Sequence, residues 1–441
     1  MTDAPGIKDP PQKLWDILKS IGPGLILTAN IVGTGELIAT TRLGSQVGFI
    51  LLWFIIFACC IKVFVQVELG RYTISEGVSS LEILRRLPTF GRFRWAIVLW
   101  FFMYVGTMFQ MAAMVGGVAE LFARSQDWRS TLPWALGAAA VAAGLLWINR
   151  YKLIETASTF MVVAFTLINL LAVGIMQFTV HKVTGADLVE GFSFRFPPSL
   201  MTAFAVFGIT GVGAAELMFY PIWCLEKGYA RAVGPRDNTL AWETRAKGWL
   251  RVMRWDAWLS MVVYTVGTVS FYLLGAALLA RQGKVVGDTN PMDTLQEMYT
   301  MTFGSAGVWI FVVGAFMVLY STYFVSTASN ARLFADVSGM MGFHKTPEER
   351  AKWVRWAVVG IPVLTLILYY GLKAPVTLVM IGGTAQALML PFLGFAALWF
   401  HRKVPASIRA GVPWVAFLVL SVLAMATLGG FQAAKAVGLV K

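Results

Sequence analysis

Apolar windows of about 20 residues, the length a helix needs to cross a bilayer, recur along the chain with short polar breaks between them. They predict spans near 22–43, 48–70, 95–123, 132–148, 153–178, 199–224, 255–280, 306–331, 354–372, 375–401 and 411–431, eleven in all, the fourth being the shortest. The expected fold class is therefore an all-α polytopic membrane protein. Trp134, Trp147, Tyr151, Trp223, Trp399 and Trp414 fall near span ends, where amphipathic rings anchor at the interface. The leader, residues 1–20, is polar and Pro-containing, and no cleavable signal peptide is expected before the first span. Within it, Leu14, Trp15, Ile17 and Leu18 predict a short interfacial helix.

The first span breaks its own pattern. Ile21–Gly48 reads IGPGLILTANIVGTGELIATTRLGSQVG, with Gly33, Gly35 and Glu36 near its middle. Each glycine weakens a helix by about 1 kcal/mol relative to Ala. A carboxylate at bilayer depth costs roughly 2.5–3.5 kcal/mol on insertion scales. Both penalties at one spot predict a broken helix lining a polar site, with Glu36 as its charge. The plainer alternative is a Gly-rich packing face with Glu36 neutralised by a neighbouring helix. Span six repeats the device in Gly208-Ile209-Thr210-Gly211-Val212-Gly213-Ala214-Ala215-Glu216, a Gly-x-Gly shortly before a carboxylate. Five spans separate the two, an odd number, so the halves 21–178 and 199–401 are expected to be inverted repeats, followed by an eleventh helix and C-terminus over 411–441.

A helix interrupted midway frees carbonyls that coordinate cations, and two carboxylates neutralise a divalent one. Glu36 and Glu216 are the expected ligands and carriers of exchangeable protons, titrating as a coupled pair. Gly33, Thr34, Gly35 and Gly213 supply the backbone of the breaks. Thr40, one turn after Glu36, is placed to hydrogen-bond it. Three roles stand open for Lys62, inside span two: pairing with a carboxylate (Arg42 being the weaker candidate), snorkelling to the inner interface, or holding a coupling-ion position in place of Na⁺.

Composition narrows the class. The chain is 58% hydrophobic and 13% charged, with mean hydropathy +0.69, which excludes a soluble globular protein of this length. A net charge of +13 would point to nucleic acid in a soluble chain. Here it follows from topology, and no nucleic-acid partner is expected. With the N-terminus inside, 25 of the 36 Lys and Arg fall on inner segments, 10 on outer ones, and Lys62 within a span. That bias predicts a cytoplasmic N-terminus, an outer C-terminus and the cell's inner membrane. Cys59, Cys60 and Cys224 sit in apolar segments, as structural thiols do. Glu68 and Arg71, three apart, predict a local pair or gate contact. Asp256 and Asp336 are expected as solvated caps or loop salt bridges, and 226–254 as a long, charged, solvated connection. His181, His344 and His401 lie in loops or at a span end. No catalytic triad or phosphate-binding loop appears, so neither enzyme activity nor a cofactor is expected.

The stretches ELIATTRLGSQVGF and KVFVQVELGRYTISEG resemble the start of the Nramp divalent-metal transporters. The resemblance continues through RWDAWLSMVVYTVGT, FMVLYSTYFVSTASNARLF and GGTAQALMLPFLGF, covering roughly 20–430. It implies the LeuT-like 5+5 inverted repeat with an added eleventh helix, and a polar residue, Gln386, facing the site from span ten. The site itself departs from the family. Its Asp-Pro-Gly-Asn falls on Gly33, Thr34, Gly35 and Glu36, so only the glycine survives. Its Ala-x-x-Met-Pro-His has no Pro-His here, and register leaves Ala215, Gly213 or Met218 in the methionine's place. On span three, where the family is acidic, GTMFQMAAM offers Met108, Met111 and a single clearly polar Gln110. Thioethers favour soft metals, whereas carboxylates and carbonyls favour Mg²⁺ or Mn²⁺.

These readings converge on a secondary transporter of a hard divalent cation, Mg²⁺ or Mn²⁺, working by alternating access around a midplane site between spans one and six, in exchange for protons. It is expected to act as a monomer among membrane lipids. The alternatives are the same fold carrying a small organic cation or amino-acid-like solute, and a non-transporting receptor or scaffold.

Overall fold

The computed structural model describes residues 6–33, 35–89, 94–125, 130–197, 201–237, 239–287 and 291–436. Among the described residues eight helices are long and apolar enough to cross a membrane: Leu52–Glu76, Trp95–Ala123, Tyr151–Met176, Leu240–Gln282, Ala306–Met340, Pro347–Leu372, Pro375–His401 and Val412–Ala434. A ninth span is the bent pair Pro23–Ile31 and Gly35–Val47, whose halves meet at 45°. The short apolar helix Leu132–Trp147 and the pair Met201–Ile209 and Ala214–Lys227 fall where spans four and six were expected. Each of the eleven apolar windows thus contains helix, interrupted in the first and sixth. Their bounds shift most where a span continues into polar sequence, as span seven does by starting at Leu240 within the charged connection.

The two interrupted spans lie at the centre. The first half of span one packs against spans five, seven and eight and the second half of span six. It is buried almost all round, which is why its apolar residues show no single stripe. Span ten packs along spans three and eleven and the first half of span six. Spans five and nine, by contrast, carry exposed apolar side chains such as Leu171 and Ile367, the pattern of helices facing lipid. The interfacial helix forms at Leu14–Ser20, with Leu14 and Trp15 exposed and Ile17 buried.

Not every expected anchor reaches the interface. Trp223 is fully buried, its indole N–H donating to Ser329 Oγ at 3.0 Å while the Arg332 guanidinium lies 4.7 Å over its ring. A Trp with both a hydrogen-bond acceptor and a cation inside the protein has no need of the headgroup region.

Candidate functional site

Span one opens with Gly22 and Pro23, and the free N–H groups of Gly22 and Gly24 in its first turn need partners. Asp256 of span seven supplies them, accepting from Gly22 N at 2.8 Å and Gly24 N at 2.7 Å. Tyr220 Oη donates to the same carboxylate at 3.0 Å. Asp256 is buried, which corrects its assignment as a solvated cap: it ties spans one, six and seven together. At the other end of this half-helix the freed carbonyl of Ala29 accepts from Ser321 Oγ at 3.2 Å and Thr322 Oγ1 at 3.1 Å on span eight. Gly33 abuts Thr322 closely. Thr34 lies outside the described residues. The chain resumes as a wide π-helical turn over Gly35–Thr40, a rare geometry that often marks functional positions.

Glu36 sits in that turn, fully buried. Thr40 Oγ1 donates to its Oε2 at 2.7 Å, as the spacing led one to expect. Its Oε1 accepts from the backbone N–H of Gly211 at 3.1 Å, across in the break of span six. Gly211 has φ +64°, a left-handed conformation that glycine adopts without strain and that turns its N–H toward Glu36.

Span six loses its helix over residues 210–213 and restarts at Ala214. Glu216 falls in the first turn, where the helix dipole favours a carboxylate. Its Oε1 accepts from Asn30 Nδ2 at 2.5 Å, and Asn30 is itself held by Ser326 Oγ, 2.6 Å from Oδ1. A methyl group at Gly213 would collide with Glu216 Oε2 and Gln386 Oε1, so the glycine leaves room for two oxygens to converge. Gln386 Oε1 accepts from Ala215 N at 3.0 Å, and its amide donates to Gln110 Oε1 at 2.8 Å. The two glutamates are thus arranged reciprocally: each lies just past the break of its own span and is held by a donor from the other.

Lys62 stands at the junction of Leu52–Ile61 and Val63–Glu76, fully buried. It does not snorkel. Its ammonium donates to Phe207 O at 2.7 Å and to Thr210 O, and lies 4.6 Å over the Phe207 ring. Those are carbonyls at the end of the first half of span six, freed by the break. Among the described residues Lys62 makes no ion pair with either glutamate, although both are close enough to act on it electrostatically. Arg42 is instead part of the lining of a separate cavity with span ten.

Met218, two residues past Glu216, is buried, with its carbonyl accepting from Ser80 Oγ at 2.6 Å. Asn30, Ser326 and the N–H of Gly211 are the functional groups that sequence reasoning missed. Asn30 carried a signal: it is the one amide in the otherwise apolar first half of span one. Among the described residues no three of His, Cys, Asp and Glu come together. The side chains gathered at the two breaks offer oxygen donors, the Glu36 and Glu216 carboxylates and the Asn30 and Gln386 amides, of the kind that suits hard cations. The Glu68–Arg71 pair forms at 3.2 Å and widens into a buried cluster, with His401 Nδ1 at 2.9 Å and Trp414 Nε1 at 3.2 Å from the carboxylate.

Residues 24–432 match the model of the family described as natural resistance-associated macrophage protein-like, Nramp. The chain is 24% identical over 364 residues to the divalent metal cation transporter MntH of Deinococcus radiodurans, covering 81% of this chain and 76% of that protein. Among solved structures it is similar to a mutant of the Eremococcus coleocola manganese transporter, with TM-score 0.67 at 16% identity, covering 99% of this chain and 92% of that one. It is also similar to Mhp1, a nucleobase-cation-symport-1 family transporter in a closed conformation, with TM-score 0.57 at 13% identity, covering 99% and 97%. At these identities the two structures speak to the fold alone, and they place it with the Nramp and LeuT-like transporters.

Proposed function

The chain belongs to the Nramp family of membrane transporters, and from that premise we propose that it carries a hard divalent cation, Mg²⁺ or Mn²⁺, by alternating access between its two broken spans. The observation that supports this reading is the reciprocal hold on the two carboxylates, Gly211 N–H on Glu36 and Asn30 on Glu216. Both bonds cross between spans one and six, so any motion that separates these spans must break and remake them. A divalent ion entering between the carboxylates supplies the charge that would replace those donors. Glu36 and Glu216 then serve as ligands, with carbonyl and amide oxygens completing the shell, and they exchange protons as the ion leaves.

Lys62 supplies a fixed positive charge on the freed carbonyls of span six, where a mobile coupling ion would otherwise sit. Transport on this reading needs no Na⁺. The relative's divalent-metal substrate and the Mn²⁺ of the Eremococcus coleocola protein agree with a divalent cargo. The donor set argues for a hard ion over a soft one. The protein sits in the inner membrane with its N-terminus in the cytoplasm and its C-terminus outside, and works as a monomer. Proteoliposome flux of Mg²⁺, Mn²⁺ and Ca²⁺ tests this: saturable uptake of a divalent ion, unchanged on replacing Na⁺ with choline, is the expected result. Transport of an amine or amino acid in its place would assign the fold to another cargo.

A further inference from the structure

A second polar concavity lies where the interfacial helix meets the ends of spans six and seven that bear the charged connection. It encloses about 490 Å³ and is lined by Lys8, Lys19, Lys227 and Arg231 together with Tyr229 and Trp249. That volume falls in the range of small-molecule sites. Four basic side chains share it, and the only carboxylate that any of them pairs with among the described residues is Glu155, 2.6 Å from Lys227 Nζ. Lys8, Lys19 and Arg231 are exposed and make no ion pair among the described residues. A concave surface lined by one sign of charge concentrates the opposite ion.

The cations stand on fixed backbone. Tyr229 Oη donates to Ser20 O at 2.9 Å, Trp249 Nε1 to Lys8 O at 2.9 Å, and Lys8 N to Ala232 O at 3.0 Å. Beside the cavity, Trp15 is 66% and Leu14 52% exposed on a helix that buries Ile17. An amphipathic helix of that kind lies at headgroup depth with its apolar rings in the acyl boundary, and Lys19 lies 5.4 Å from the Trp15 ring on the same helix. The cavity therefore opens at the level where phosphate groups of lipids are found.

We propose that this cavity binds a negatively charged phosphate group, supplied by the headgroup of an anionic phospholipid. The occupant ties together the entry to span one, two residues beyond Ser20, and the end of span six at Lys227. It thereby stabilises the packing of the two broken spans against each other at this face. The site is separate from the cation path and does not depend on which ion is carried.

The test uses the purified full-length protein in detergent, titrated with phosphatidylglycerol, with phosphatidylcholine and, separately, with inorganic phosphate, bound lipid being counted by native mass spectrometry. The wild type is expected to retain phosphatidylglycerol in preference to phosphatidylcholine. The Lys19→Gln/Arg231→Gln variant is expected to lose ~30-fold of that retention, as two basic contacts at a membrane surface imply. The charge-preserving Lys19→Arg/Arg231→Lys variant should keep it, and so should Arg251→Gln/Arg254→Gln, whose cations line another cavity. Lys8→Gln alone gives the same reading if the double glutamine variant does not fold. Saturable binding of inorganic phosphate, lost in the glutamine variant and without lipid preference, would support the same chemistry from a soluble source. Equal retention of both lipids and of phosphate by wild type and glutamine variant would overturn the proposal.

Discussion

Asn30, before the break of span one, donates to Glu216, after the break of span six, at 2.5 Å. The bond joins residues 186 apart in sequence and is buried. Its counterpart runs the other way, from Gly211 to Glu36. A hydrogen bond to a charged group contributes about 1.5–3 kcal/mol. Asn30→Ala, if the bond serves transport, is expected to lower divalent flux by roughly 10- to 100-fold while leaving the protein folded. Uptake together with size-exclusion behaviour checks it. An unchanged rate would make Asn30 a packing residue.

Lys62→Gln removes the cation that satisfies the Phe207 and Thr210 carbonyls. Leaving buried carbonyls unsatisfied costs about 1–3 kcal/mol, so the thermal midpoint should fall. Na⁺ should restore part of that loss by entering the vacated position, whereas the wild type should not respond to Na⁺. Thermal unfolding in NaCl against choline chloride distinguishes the two. A variant as indifferent to Na⁺ as the wild type would rule out the tethered-cation role.

Gly213→Ala places a methyl group where Glu216 Oε2 and Gln386 Oε1 converge. Overpacking of this sort costs typically 1–3 kcal/mol, here concentrated on the two oxygens of interest. Cation affinity by calorimetry is expected to drop by at least tenfold, with a smaller fall at Gly137, where an added methyl group meets open space. Similar affinities for both variants would show that the convergence has no part in binding.

Outside the membrane, Asp187 gives a pH-dependent signature. Burial pulls its carboxyl upward, but hydrogen bonds from Thr184 and Arg281 outweigh it and hold the group below its ordinary value. A lowered folded-state value means the carboxylate stabilises the native loop above the unfolded pKa of about 3.9. That contribution disappears as pH falls through the lower folded value. The stability difference between wild type and Asp187→Asn should therefore be constant above about pH 5 and shrink toward pH 2. A difference that grows on acidification would contradict the assignment.

Much of this site can be read from sequence because its parts violate local rules. Glycines and a carboxylate do not belong mid-span, so Glu36 and Glu216 announce themselves, and the i to i+4 spacing places Thr40 on Glu36. What cannot be read is which distant group answers them. Nothing in the chain order links Asn30 to Glu216, or His401 to Glu68, 333 residues apart. Lys62 was ambiguous for a related reason. Its sequence neighbours permit an ion pair, an interfacial position or a coupling-ion position, and the carbonyls it meets, Phe207 O and Thr210 O at the break that begins at Thr210, lie 145 and 148 residues away in sequence. Asp256 looked solvated because its position near a span end hides the two glycine N–H groups it caps.

The most direct measurement is divalent-cation flux into proteoliposomes for the wild type, Glu36→Gln and Glu216→Gln at two pH values. Saturable Mg²⁺ or Mn²⁺ uptake by the wild type, reduced at least tenfold in both variants and with its pH dependence flattened, is the result expected of two carboxylates acting on one ion. Full flux in either variant, with the wild-type pH dependence intact, would contradict it.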